Sequence, residues 1–183
     1  MVDAATVAAL VGDFVDEGDG EAMKSLELIL HLLEYSPAPF SREQFTPGHI
    51  TCSGLVVAPD GERVLLVHHR RLERWLLPGG HVEPGDATIA DAARREVVEE
   101  TGAALAAGGL FIGADVHGIP AQRGEPYHLH HDLMFHFRAT TEEFRVSEES
   151  HAVVWCASDE LERYDIPINV RRAYLRAQCS PLK

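Results

Sequence analysis

The apolar positions change period along the chain, and the changes divide it into segments. Over residues 3 to 35 they recur at helical spacing: Val7, Leu10, Val11 and Phe14 form one stripe, and Met23, Leu26, Leu30 and Leu33 form the next. Gly18-Asp19-Gly20 interrupts the two, so a pair of helices is predicted. They read as a packing element; a homodimer contact or a cap over a site are the alternatives. The proline-bearing stretch SPAPFSREQFTPGH that follows reads as a connector.

From Ile50 the period becomes that of strands. Residues 49–57 and 63–69 flank the turn signal Pro59-Asp60-Gly61, which predicts a hairpin leading to Trp75. Residues 110–117 read as a further strand. The stretch Tyr127 to Phe137 alternates, with Leu129, His131, Leu133, Phe135 and Phe137 on a core side. His128, His130, Asp132, Met134 and His136 fall on the other, polar side. Residues 152–155 read as a short strand before Ser158-Asp159-Glu160-Leu161, and 167–178 as a closing helix.

Between these strands, residues 75–103 read as a strand end, a glycine-rich turn and a helix of about four turns. Asp86 and Thr88 are candidate N-caps, Ile89, Ala93 and Val97 recur at four-residue spacing, and Gly102 suits the position past the helix end. At roughly 100° per residue, Glu96 and Glu100 project about 40° apart, with Glu99 about 60° to the other side of Glu96. Like charges at i and i+4 cost roughly 0.2 to 0.5 kcal/mol per pair, and anions in a last turn face the negative end of the helix dipole. The helix by itself would be more stable without them. Hard divalent cations would turn this repulsion into ligation, whereas a solvated acidic face is the plainer alternative. Pro78-Gly79-Gly80 upstream can bring a main-chain carbonyl to the same place.

This stretch resembles the Nudix box: Gly, five residues, Glu, seven residues, then Arg-Glu-apolar-any-Glu-Glu-any-Gly-apolar. Gly80 opens the match and Arg95-Glu96-Val97-Val98-Glu99-Glu100-Thr101-Gly102-Ala103 closes it. Asp86 stands where the family has Glu, and eight residues rather than seven separate it from Arg95. Trp75-Leu76-Leu77-Pro78 also resembles family members. The resemblance implies an α/β fold, a Nudix-type α/β/α sandwich with a mixed β-sheet, here with a helical N-terminal extension over 1–45 and the hydrolase domain over 46–183.

The resemblance further implies hydrolysis of a diphosphate linkage with Mg²⁺ or Mn²⁺ held by Glu96, Glu99, Glu100 and the Gly80 carbonyl. Glu99 is the expected base, with Glu149, in the acidic loop ahead of the last strand, as its substitute. Arg95 is expected to fix a neighbouring carboxylate. A domain that binds a nucleotide or sugar diphosphate without cleaving it is the alternative.

Other residues bear on the substrate. Arg70, Arg71 and Arg74 cluster before the glycine turn, either as phosphate contacts or as a solvated basic loop. His81, His128, His130 and Asp132 are candidates for a substrate-facing side; an ordinary half-exposed strand and a transition-metal site are the other readings of the last three. The motif of the NADH-cleaving branch and a coenzyme A signature are both missing. Nucleoside triphosphates, dinucleotide polyphosphates and sugar diphosphates therefore stay open as substrates.

Composition narrows the partners. With 45% hydrophobic and 25% charged residues the chain suits a folded domain, and its formal charge of −13 disfavours nucleic acid and anionic membrane surfaces. A phosphorylated small molecule is the expected partner, drawn in by cations and local arginines. Three widely spaced cysteines suggest neither a disulfide framework nor a zinc site, and the N-terminus lacks a basic leader, so a cytoplasmic location is expected.

Overall fold

The computed structural model describes residues 1–15, 18–122 and 124–179. Two N-terminal helices, α1 (Ala4–Gly12) and α2 (Gly20–Tyr35), precede β1 (Gly48–Val57), β2 (Arg63–His69), β3 (Arg74–Leu76) and β4 (Gly79–His81). Then come α3 (Ile89–Thr101), β5 (Leu110–Ile119), β6 (His128–Arg138), β7 (Ser150–Ala157), a 3₁₀ segment (Ser158–Tyr164) and α4 (Ile168–Cys179). Asp3 and Asp19 cap α1 and α2, each accepting a main-chain N–H three residues on.

Among the described residues the strands form one seven-stranded mixed sheet, with β3-β2-β1-β6-β5 in order, β4 beside β1 and β7 beside β2. β1 runs parallel to β6 along its whole length, from Gly48 opposite Leu129 to Val57 opposite Arg138. The predicted hairpin is present only at its tip, where Val57 meets Val64. β2 then swings away to pair with β7, and β4 takes the edge of β1 that β2 leaves, setting Thr51, Cys52 and Ser53 opposite His81, Gly80 and Gly79. The glycine stretch read as a turn is thus partly a strand.

Alternate residues of the strands feed two cores. Ile50, Cys52 and Val56, with Leu133, Phe135 and Phe137, pack against α1, α2 and α3 through Val7, Leu26, Ile29, Ala93 and Val97. Leu55, Leu66, Met134 and Cys156 face the other way, against Leu161, Val170, Ala173 and Tyr174. The chain is therefore an α/β/α sandwich with its N-terminal helices laid on the α3 side. β6 is not half-exposed: His128, Met134 and His136 are buried with the apolar face, because β6 lies between β1 and β5 and both sides of the sheet are covered. No helix among the described residues is long and apolar enough to cross a membrane.

Candidate active site

The helix α3 is pinned at both ends. Thr88 accepts the Asp91 N–H while Asp91 accepts the Thr88 N–H, a reciprocal capping box, and Gly102 closes the helix at φ 64°, a conformation that favours glycine. Its apolar stripe lies so close to β1 that a Cβ on Gly54 would stand 2.3 Å from a methyl of Val97. The helix thus packs closely on β1, with its acidic edge over β4.

Two glutamates of that edge are covered. Glu100 is 4% exposed; its Oε1 accepts the Gly79 N–H at 3.1 Å, and its Oε2 is buried with no hydrogen-bond partner. Burial, against the Gly79 hydrogen bond and with help from the charges of Glu96, Glu149 and Glu99, pushes its carboxyl up to about 8. Glu96 lies against Gly80, where any Cβ would stand 2.7 Å from both carboxylate oxygens. Burial raises its carboxyl as well, opposed by Arg95 and assisted by Glu99 and Glu149. Glu99 has a side chain 58% exposed.

Arg95 organises this edge. Its Nη1 donates to Glu96 at 2.9 Å and Glu99 at 3.0 Å, and its Nη2 to the His81 carbonyl at 2.9 Å. Its Nε and Nη2 also form a fork onto the two oxygens of Asp86, at 3.0 and 3.1 Å. Asp86 is therefore not a helix cap, since the helix starts two residues beyond Thr88's predecessor at Ile89 with Thr88 as its cap. It is buried, and although burial raises its carboxyl, the Arg95 guanidinium and the Glu83 N–H hold it below the usual carboxylate range.

The remaining candidates divide. Arg70 is exposed, but its Nε donates to the Ser150 carbonyl at 3.1 Å and its main-chain N–H to that of Glu149 at 2.9 Å, which fixes the turn carrying Glu149 beside the acidic edge. Arg71 pairs with Glu125 at 2.6 Å. Arg74 is exposed at the start of β3, with no ion pair among the described residues. Asp132, expected to face substrate or a metal, instead accepts from Thr51 Oγ1 at 2.9 Å and Ser53 Oγ at 2.8 Å, and is buried. His128 is buried with its Nδ1 on the Pro126 carbonyl.

His81 and His130 are partly exposed and meet His49, a residue the sequence reading passed over. Burial and the neighbouring imidazoles hold His81 at about 4 and His130 at about 2. The signal for His49 was the alternation His49-Thr51-Ser53 in β1, which matches that of His130-Asp132 in β6 once the two strands are paired.

The acidic edge offers oxygen donors, the carboxylates of Glu96 and Glu100 over the Gly79-Gly80 main chain, where the Gly80 carbonyl accepts from Cys52 Sγ at 3.7 Å. That set fits a hard divalent cation, and the partnerless Glu100 Oε2 is the atom such an ion would satisfy.

Residues 48–177 match the family model described as NUDIX domain. A putative 8-oxo-dGTP diphosphatase of Bacillus subtilis (strain 168) is 44% identical over 55 residues, covering 29% of this chain and 36% of that protein. The match thus spans about a third of that relative's length. Among solved structures, the NUDIX domain of Shewanella oneidensis NrtR, complexed with ADP ribose, superimposes with a TM-score of 0.56 at 16% identity, covering 81% of this chain and 94% of that one. The dihydroneopterin triphosphate pyrophosphohydrolase of E. coli gives 0.55 at 21%, covering 68% and 91%. At these identities the likeness is one of fold.

Proposed function

Because this chain belongs to the Nudix family, we propose that it hydrolyses a diphosphate linkage, with Mg²⁺ or Mn²⁺, in a nucleoside diphosphate joined to another moiety. The observation that carries the reading is Glu100: a buried carboxylate with one oxygen tied to Gly79 and the other without a partner, next to Glu96 in its glycine cradle. Binding alone does not require that concentration of carboxylate in one covered corner.

Glu96, Glu100 and the Gly80 carbonyl are the residues that would hold the cation, with Glu99 completing the set at its exposed edge. A bound divalent ion neutralises charge across the two phosphates and makes water a stronger nucleophile. Arg95 draws Glu96 and Glu99 into fixed rotamers and is itself anchored by Asp86. Glu99, with one oxygen on Arg95 and the other open to solvent, accepts the proton of the attacking water; Glu149 is the substitute. The new P–O bond forms as the bridging P–O bond breaks, and the bridging oxygen leaves with the other phosphate. Arg74, exposed at the start of β3, and Arg70 take the phosphates. In this reading residues 46–183 are the catalytic unit and 1–45 a packing extension.

The test is a hydrolysis screen over nucleoside triphosphates, dinucleotide polyphosphates and nucleotide sugars in millimolar Mg²⁺, with Glu100→Gln in parallel. At least one class is expected to be cleaved, and Glu100→Gln to lower turnover at least about a hundredfold, since a cation's charge stabilisation is worth several kcal/mol. No cleavage of any class would leave a binding domain in its place.

A further inference from the structure

On the sheet face opposite α3, imidazoles converge from three strands. His49 of β1 has its ring centroid 5.0 Å from those of His81 in β4 and His130 in β6, and 5.1 Å from that of His128. His81 and His130 are 5.5 Å apart. One ring nitrogen from each of His49, His81 and His130 lies within 4.8 Å of the other two.

The protonation of His49 is fixed by its surroundings. It is 1% exposed, and its Nδ1 sits 3.1 Å from the Gln44 carbonyl, which can only accept. Nδ1 therefore carries the proton and Nε2 the lone pair, yet Nε2 is buried without any hydrogen-bond partner. The rings of His81 and His130 make no hydrogen bond among the described residues either. Asp132, two residues beyond His130 in β6, is already used by Thr51 and Ser53, Asp115 by His117, and Glu125 by Arg71. What remains is a set of imidazole nitrogens with lone pairs to give.

We infer that His49, His81 and His130 form a site for a borderline divalent transition cation, Zn²⁺ being the reference ion, separate from the carboxylates of α3. Imidazole suits such ions, and hard Mg²⁺ is not drawn to it. Tetrahedral zinc with bonds of about 2.0–2.1 Å needs ligand nitrogens about 3.4 Å apart. Closing from within 4.8 Å takes small torsions of His81 and His130, the two partly exposed rings, toward the buried His49. The Gln44 carbonyl orients the fixed ligand, as outer hydrogen bonds commonly do for metal-bound histidine. Three protein ligands leave a fourth position for water or an anionic group. The site does not depend on the hydrolase reading.

The experiment is a Co²⁺ titration of the full metal-stripped chain in millimolar Mg²⁺, followed by displacement with Zn²⁺. One equivalent should give the visible bands of tetrahedral cobalt and lose them to zinc. His81→Gln and His130→Gln, both at partly exposed positions, should each weaken Zn²⁺ binding at least about a hundredfold, whereas Glu100→Gln leaves it unchanged. Zinc at a hundred times its dissociation constant should raise the thermal midpoint by about 5–10 °C, a shift both histidine variants lose. Absence of a saturable cobalt spectrum, a spectrum that survives both histidine substitutions, or one that disappears with Glu100→Gln would overturn the site and leave neutral, stacked imidazoles.

Discussion

Gly80 and His81 are neighbours on β4, yet they belong to different chemistries. Gly80 pairs with Cys52 and lies under Glu96, on the side covered by α3; His81 pairs with Thr51 and joins His49 and His130 on the opposite side. A strand sends successive side chains to opposite faces, so one residue's step separates an all-oxygen corner from an all-nitrogen one. The oxygen corner crowds carboxyl groups together, two of them receiving hydrogen bonds from Arg95. The nitrogen corner carries neutral rings held from protonation by burial and by each other. Two metal preferences can thus sit side by side, kept apart by the thickness of a sheet.

The largest expected effect that breaks this symmetry is Glu100→Gln, which should remove hydrolysis and spare the imidazole face. Next is Gly80→Ala. Its backbone tolerates a side chain, but the added methyl would stand 2.7 Å from the Glu96 carboxylate and push it away. Turnover should fall about tenfold to a hundredfold with little change in the thermal midpoint, since misplacement by about 1 Å is enough for such a loss. Steady-state kinetics with a saturating divalent ion would show it; full activity would mean that Glu96 does not need its place on β4.

Asp86→Ala should have a smaller effect on turnover, about tenfold, and a clearer one on stability. It removes the fork that holds Arg95, leaving the guanidinium on Glu96, Glu99 and the His81 carbonyl. A loss of about 1–3 kcal/mol in denaturant melts is expected for one partner of a covered pair. A variant as inactive as Glu100→Gln would place Asp86 among the catalytic groups rather than behind them.

What the sequence made legible follows from the range of each interaction. The helix α3, with its Gly102 terminator and its acidic edge, is written in local spacing, and so is the alternation of β6. Asp86 was harder: as a short acid before a helix it looks like a cap, and only the folded loop brings it, buried, to Arg95. The pairing of β1 with β6 is parallel and distant in sequence, so neither the burial of both faces of β6 nor the meeting of His49 with His130 could be read from periodicity. Asp132 was misplaced for the same reason, because its partners Thr51 and Ser53 are some eighty residues away.

The most direct test is the unfolding midpoint of the metal-free protein across pH, with and without Mg²⁺. Glu100 is raised to about 8 from an ordinary 4.5, so its contribution is fully present below about pH 4.5 and is lost as pH rises through 8. Wild type should lose stability across that window, Glu100→Gln should lose much less, and millimolar Mg²⁺ should restore wild type at pH 8 while leaving the variant unmoved. Parallel curves for the two proteins, with no response to Mg²⁺ in either, would contradict the claim that this carboxylate is buried to hold a cation.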